Sequence, residues 1–157
     1  MAVGQRVNPY LTSKFSVQIG GLEEARFAEC SGLQVETEVF EYQEGGRNDV
    51  VHRLPGRSKI SNVTLKRGIA LTNHTNALWD WYSKVVRGTI ERKHVSIVLY
   101  DLLGEEVMRW HFDNCYPVKW SGPSFKADEN TVTIETLELT HTGMRFEPKS
   151  PGPTRTQ

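Results

Sequence analysis

A mainly β domain, an antiparallel sandwich or barrel carrying one external helix, is the fold class predicted by this chain of 157 residues. Three observations carry it. Apolar and polar residues alternate in several short runs, as half-buried strands require. A single stretch repeats its apolar residues at helical spacing. Glycine and proline fall between the runs, where turns need them.

The first strand is read at residues 15–19, where Phe15, Val17 and Ile19 alternate with Ser16 and Gln18, and Gly20 and Gly21 end it. A short partner is expected at residues 26–30. Over residues 34–42 the apolar parity changes, with Val35 and Val39 on one face and Phe40 and Tyr42 on the other, which calls for a bulge or for cover on both faces. Residues 43–48 are polar and hold a Gly-Gly pair, and Pro55 and Gly56 follow, so a long hairpin-like excursion punctuated at both ends is expected. Alternation resumes at residues 63–69, with Val63, Leu65 and Arg67 on one side, as a strand near an edge or an interface.

The helix is placed over about residues 75–87, because Leu78, Trp81, Tyr82 and Val85 share one face. Thr75 is the expected N-cap, and Lys84, Arg87 and Gly88 supply a basic last turn and a glycine stop. A hairpin follows, from residues 95–101 through a turn at Gly104 to residues 107–116. The last strand is read at residues 131–141, where the parity shifts from Val132 and Ile134 to Leu137 and Leu139, as in a strand that bends between two sheets. Residues 1–146 are expected to form one domain, and residues 147–157 a flexible tail.

Composition narrows the function classes. An apolar fraction of 38% with 24% charged residues indicates a globular chain rather than a disordered or membrane-spanning one. Lys plus Arg equals Asp plus Glu at 19 each, which removes the broad positive footprint of a dedicated nucleic-acid binder. The two cysteines, Cys30 and Cys115, make no disulfide framework and are expected to be small buried side chains.

Candidate chemistry is sparse. None of the five histidines has the spacing of a metalloprotease pair, and no serine stands in a Gly-x-Ser-x-Gly elbow. The glycine pairs lack the context of a phosphate cradle, so no cofactor and no metal is expected. Two charge clusters remain: Glu36, Glu38, Glu41 and Glu44 lead into the excursion, and Arg53, Arg57, Lys59, Lys66 and Arg67 lead out of it. The acidic run of one copy and the basic run of another would be complementary, as in a self-associating ring or stack. From a different class, a ligand- or nucleic-acid-binding barrel would use Trp79, Trp110 and Trp120 beside the basic cluster.

The ordered blocks NPYLTSKFSVQIGGL, FAECSGLQVETEVFEYQEGG, RLPGRSKISNVTLKRGI, LWDWYSKVVRG, ERKHVSIVLYDLLGEEVMRWHFDNCYPVKWSGPSF and VTIETLELTHTGM resemble the tail-tube protein family of contractile phage tails and injection systems, over residues 8–146. The resemblance implies two packed antiparallel sheets forming a small barrel-like sandwich with one flanking helix, in the class of type VI secretion tubes. It implies no catalysis. Six copies would close into a ring, and rings would stack into a hollow tube inside a sheath, with baseplate and tube-capping proteins as further partners and DNA or protein cargo in the lumen. A tube-initiating, baseplate-proximal paralogue is the alternative within the family. Assembly in the bacterial cytoplasm is implied, with release in the particle and no membrane insertion of the subunit.

By the family pattern, Gln43, Glu44, Gly45, Gly46, Arg47, Asn48, Arg53, Leu54, Pro55, Arg57 and Lys59 would reach a neighbouring subunit or ring, helped by residues 7–10. Glu36, Glu38, Thr133 and Glu135 are the candidates for the lumen.

Overall fold

The computed structural model describes residues 14–20, 22–24, 27–46, 49–69, 77–128, 130 and 132–149. It is mainly β with one helix, as expected, and its chain divides into two compact units. The first comprises residues 1–27, 91–115 and 141–157, and the second residues 28–90 and 116–140.

In the first unit, β1 (Phe15–Ile19) lies between β2 (Leu22–Glu24) and β7 (Lys93–Tyr100), and β7 pairs the opening part of β8 (Glu106–Ser121). All these pairings are antiparallel. Registers Val17↔Ile97, Ile19↔Val95 and Val95↔Phe112 put the alternating apolar residues on one face, where all five are buried. The far side of β8 is taken by β10 (Gly143–Pro148). The expected partner of the first strand at residues 26–30 is replaced by β2, whose short return follows directly from the turn at Gly20, φ +63°. Strand β10 extends two residues past the boundary expected at 146.

In the second unit, the last part of β8 pairs β9 (Ile134–Thr140), β9 pairs β6 (Val63–Gly68), and β6 pairs β3 (Glu29–Ser31). Thus β6 has a neighbour on each side and is not an edge. Registers Val63↔Leu139 and Leu65↔Leu137 bring four nearly inaccessible side chains together, each worth roughly 1.5–3 kcal/mol for its burial. The next pair in the same row is Arg67↔Glu135. That pair explains the parity shift read in β9: the buried face continues through Glu135 rather than Ile134, which is exposed. Neither sheet closes into a barrel among the described residues.

Helix α1 (Ala77–Val86) buries Leu78 and Trp81, half-buries Tyr82 and Val85, and so presents the expected face. Thr75 lies outside the described residues. The helix stops at Gly88, φ +91°, where Gly88 N–H donates to Val85 O at 3.0 Å and Thr89 N–H donates to Lys84 O at 2.9 Å. A left-handed glycine with these two bonds is the Schellman termination.

The second unit also carries β4 (Val35–Gln43) and β5 (Val51–Ile60), which form a two-stranded sheet of their own. Pro55 and Gly56 sit inside β5 and not at its end.

Candidate functional site

Every residue of β4 is exposed, and so is every residue of β5 except Gly56. Their pairs run Val35↔Ile60, Glu36↔Lys59, Thr37↔Ser58, then Val39↔Pro55, Phe40↔Leu54, Glu41↔Arg53, Tyr42↔His52 and Gln43↔Val51. Between Thr37 and Val39 the register shifts by one, three steps on β5 answering two on β4, so the bulge expected from the parity change is present. Proline is tolerated there because β5 bonds on one side only.

Alternation then assigns the faces. Val39 and Pro55 lie on one face and Phe40, Leu54 and Tyr42 on the other, so the middle of the arm is apolar all round. Val39 is 58% exposed, Phe40 60%, Tyr42 57% and Leu54 55%. The Phe40 ring lies over Gly56, where a Cβ would stand 2.5 Å from its Cε2. Glycine at 56 is what lets that ring lie flat along the arm.

Most charged residues of the arm are already matched. Lys59 Nζ meets Glu38 Oε1 at 2.6 Å, Arg53 Nε meets Glu41 Oε1 at 3.6 Å, and His52 Nε2 lies 3.6 Å from Glu44 Oε2. The Thr37 and Ser58 hydroxyls bond at 2.8 Å. The acidic and basic runs, expected to meet between copies, therefore largely meet within one hairpin, and the exposed surface left over is mainly apolar, with Glu36 and Arg57 as charged exceptions. Exposed ion pairs of this kind contribute about 0–1 kcal/mol each. Two strands alone, with no covered face, are marginal in water.

Of the expected contact residues, Gln43 ends β4, Glu44, Gly45 and Gly46 form the tip, and Arg57 is exposed at the bulge. Gly46 has φ +106°, which a side chain would resist. Arg47, Asn48 and residues 7–10 lie outside the described residues. Of the lumen candidates, Glu36 and Glu38 are exposed on the arm and Thr133 is half-buried. Glu135 is 4% exposed, with Oε1 3.0 Å from Arg67 Nη2, and so cannot face a channel. The sequence reading left the exposed apolar residues Val39, Phe40, Tyr42 and Val51 out of its candidate set, although their presence at both parities was the signal.

Most of the basic cluster is paired as well. Lys66 Nζ meets Glu29 Oε1 at 3.1 Å, so Arg53, Lys59, Lys66 and Arg67 each have a carboxylate, which weakens the nucleic-acid reading. Trp79 and Trp120 meet edge to face at 4.7 Å, and the Trp120 ring lies over Gly122.

A polar cluster stands on the first unit's sheet. Ser96 Oγ is 3.1 Å from His94 Nε2, and His94 Nδ1 is 3.2 Å from Asp113 Oδ1, distances a hydrolytic triad would have. Ser96, however, is 3% exposed and its hydroxyl is shared with His111 Nδ1 at 3.1 Å, so no acyl group could reach it. Cys115 is buried as expected, whereas Cys30 on β3 is only half-buried. Burial, with Glu29 adding to it, pushes Cys30 up to about 12, and burial pushes Cys115 to about 12, so each stays protonated at neutral pH.

The bare, two-faced apolar arm gives this mainly β domain the kind of surface that docks against other protein. The family model of the T4-like virus tail tube protein gp19 matches residues 11–145, and the chain belongs to that family. It is a tube protein of the phage-tail and contractile-injection kind, not an enzyme. Its fold is similar to a chain of the anti-feeding prophage cap, AFP tube terminating cap, at 26% identity and a TM-score of 0.80, covering 90% of this chain and 92% of that one. It is equally similar to a chain of the PVC sheath-tube complex, an extracellular contractile injection system in the extended state, at 26% identity and TM-score 0.80, covering 91% and 94%. Hcp1 from Flavobacterium johnsoniae shares the fold, at 15% identity and TM-score 0.52, over 85% and 94% of the two chains. No curated sequence matches.

Proposed function

We propose that the chain is the repeating subunit of the inner tube of a contractile phage tail or injection particle. Six copies close into a ring, and stacked rings make a hollow tube that sheath contraction drives through a target envelope. The β4–β5 arm supports this reading: apolar side chains exposed on both of its faces need cover that the described residues of its own chain do not give. Copies of the same chain supply that cover, and the open strand edges extend a neighbour's sheet. Sheath, baseplate and capping proteins are the further partners, and DNA or protein travels in the lumen. The subunit assembles in the bacterial cytoplasm and leaves as part of the particle; no helix among the described residues is long and apolar enough to cross a membrane.

Negative-stain electron microscopy of the purified chain tests the proposal. Hexameric rings or tubes are expected, and a strictly monomeric protein that also fails to join its own particle's sheath or baseplate refutes it. A tube-capping or initiating role is the second reading, because the structures similar to this chain include a tube-terminating cap and a sheath/tube terminator. Copy number separates the two: many rings per particle for the tube, one or a few for a cap.

A further inference from the structure

Three acceptor atoms on the first unit's sheet converge on one point. His94 and Ser96 stand two apart on β7 and so share a face, and His111 on β8 is the direct partner of Ser96. His94 Nε2 and His111 Nδ1 are 3.1 Å apart, and Ser96 Oγ lies 3.1 Å from each, so the three atoms form a triangle of equal sides. The outer ring nitrogens turn the other way, to carboxylates. His94 Nδ1 donates to Asp113 Oδ1 at 3.2 Å, and His111 Nε2 donates to Glu147 Oε2 at 3.3 Å. A carboxylate only accepts, so in neutral rings the protons lie on those outer nitrogens and both inner nitrogens present lone pairs.

Among the described residues, one hydrogen, that of the Ser96 hydroxyl, is left for three atoms that face one another. A shared proton bridges two of them, whereas a metal ion serves all three. At zinc–nitrogen distances of about 2.0–2.1 Å, nitrogens 3.1 Å apart subtend about 95–102° at the ion, between the octahedral and tetrahedral angles. A modest rotation of the rings aims both lone pairs at that point. Carboxylates on the far nitrogens are the usual outer partners of metal-bound histidines, because they fix the tautomer and raise the basicity of the ligand. Asp113 is itself held, by Arg145, which donates to its two oxygens at 3.1 and 3.3 Å. The site also sits at a bulge: three steps on β8 from Cys115 to Phe112 answer two on β7 from Lys93 to Val95, and Asn114 within it has φ +53°. Bulges re-aim side chains and gather beside functional sites.

We propose that His94 Nε2, His111 Nδ1 and Ser96 Oγ bind a divalent cation of the imidazole-preferring class, zinc, nickel or copper, with water completing its shell. The ion enters past His94, whose side chain is 44% exposed, although Ser96 is closed to anything as large as an acyl group. No three His, Cys, Asp or Glu side chains among the described residues are grouped to hold a metal; the third ligand here is a hydroxyl. Sequence spacing hid the site because its two histidines lie 17 positions apart on neighbouring strands. Once bound, the ion staples β7 to β8. The site goes beyond the tube reading and stands whether or not the chain forms tubes.

Isothermal titration calorimetry of zinc chloride into full-length, chelator-stripped protein tests it. One saturable site per chain is expected, and the melting temperature should rise by about 5–10 °C once free zinc is about a hundredfold above its dissociation constant. His94→Gln and His111→Gln should each abolish the site, while His52→Gln, at the exposed histidine of the arm, should leave it intact. Glu147→Ala should weaken binding about tenfold. Absence of saturable binding up to millimolar zinc overturns the proposal. So does binding that survives His94→Gln, or an affinity unmoved by Glu147→Ala, since either marks adventitious surface zinc only. Should His111→Gln not fold, His94→Gln, at the more exposed of the two positions, decides alone.

Discussion

Replacing Phe40 and Leu54 with serine should remove assembly while leaving the fold. Full burial of a side chain of this size is worth roughly 1.5–3 kcal/mol, and Phe40 has 60% of its surface and Leu54 55% still exposed in the lone chain. Docking of the arm can therefore still gain about 1–2 kcal/mol from each, or about 2–4 kcal/mol from both. At about 1.4 kcal/mol per factor of ten, the double variant should raise the concentration needed for assembly by roughly thirty- to a thousandfold. The isolated chain loses the cross-strand contact between the two residues, about 0.2–1 kcal/mol, and the cover of the Phe40 ring over Gly56. Pelleting of tubes across a protein dilution series reads the first quantity, and thermal unfolding of the unassembled chain reads the second. An assembly threshold unchanged within about threefold, under 1 kcal/mol, would show that the arm's apolar middle docks on nothing.

Reversing Arg53, Arg57 and Lys59 to glutamate should reduce tube yield more than it lowers the melting temperature of the chain, because the ion pairs it breaks are exposed; normal yield and tube length would refute it. Arg67→Ala should cost about 3–5 kcal/mol by stranding the buried Glu135 carboxylate, whereas Arg67→Met with Glu135→Leu should recover most of that loss in urea unfolding. Cys30 and Cys115 should react with iodoacetamide at pH 8 far more slowly in the folded chain than in urea, since both pKa values are raised to about 12. Asp113, with its carboxyl lowered by Arg145, contributes stability that is in place above the ordinary carboxylate pKa of about 3.9 and is lost as pH falls through the lowered value; Asp113→Asn should therefore make the acid limb of a stability curve shallower.

The elements with regular periodicity were legible. Val17 and Ile19, then Val63 and Leu65, then Leu78 and Trp81 each announced the buried face that the structure gives them. What periodicity could not supply was pairing: β2 and β3 are three residues long, too short to show a pattern, and their partners depend on contacts distant in sequence. Strand β10 does alternate, Met144 and Phe146 against Arg145 and Glu147, but over too few residues to stand apart from the Pro-rich end that follows. Glu135 misled because a lone carboxylate in a strand reads as exposed, and its partner Arg67 lies 68 positions away. At the arm, the charges drew attention that belonged to the apolar residues between them. Pro55 and Gly56 read as punctuation because the rule that bars them from strands applies to strands paired on both sides.

The extra step in β5 acts as a frame correction. Counting back from Thr37↔Ser58 without it would set Pro55 against Phe40, Leu54 against Glu41 and Arg53 against Tyr42. With it, Val39 meets Pro55, Phe40 meets Leu54 and Glu41 meets Arg53. Losing one residue from either strand between the bulge and the tip would thus scramble the partnerships beyond the loss while changing the composition hardly at all. Length variation in this arm is tolerable only where the count on the two strands stays matched, a constraint that acts on insertions and deletions rather than on substitutions.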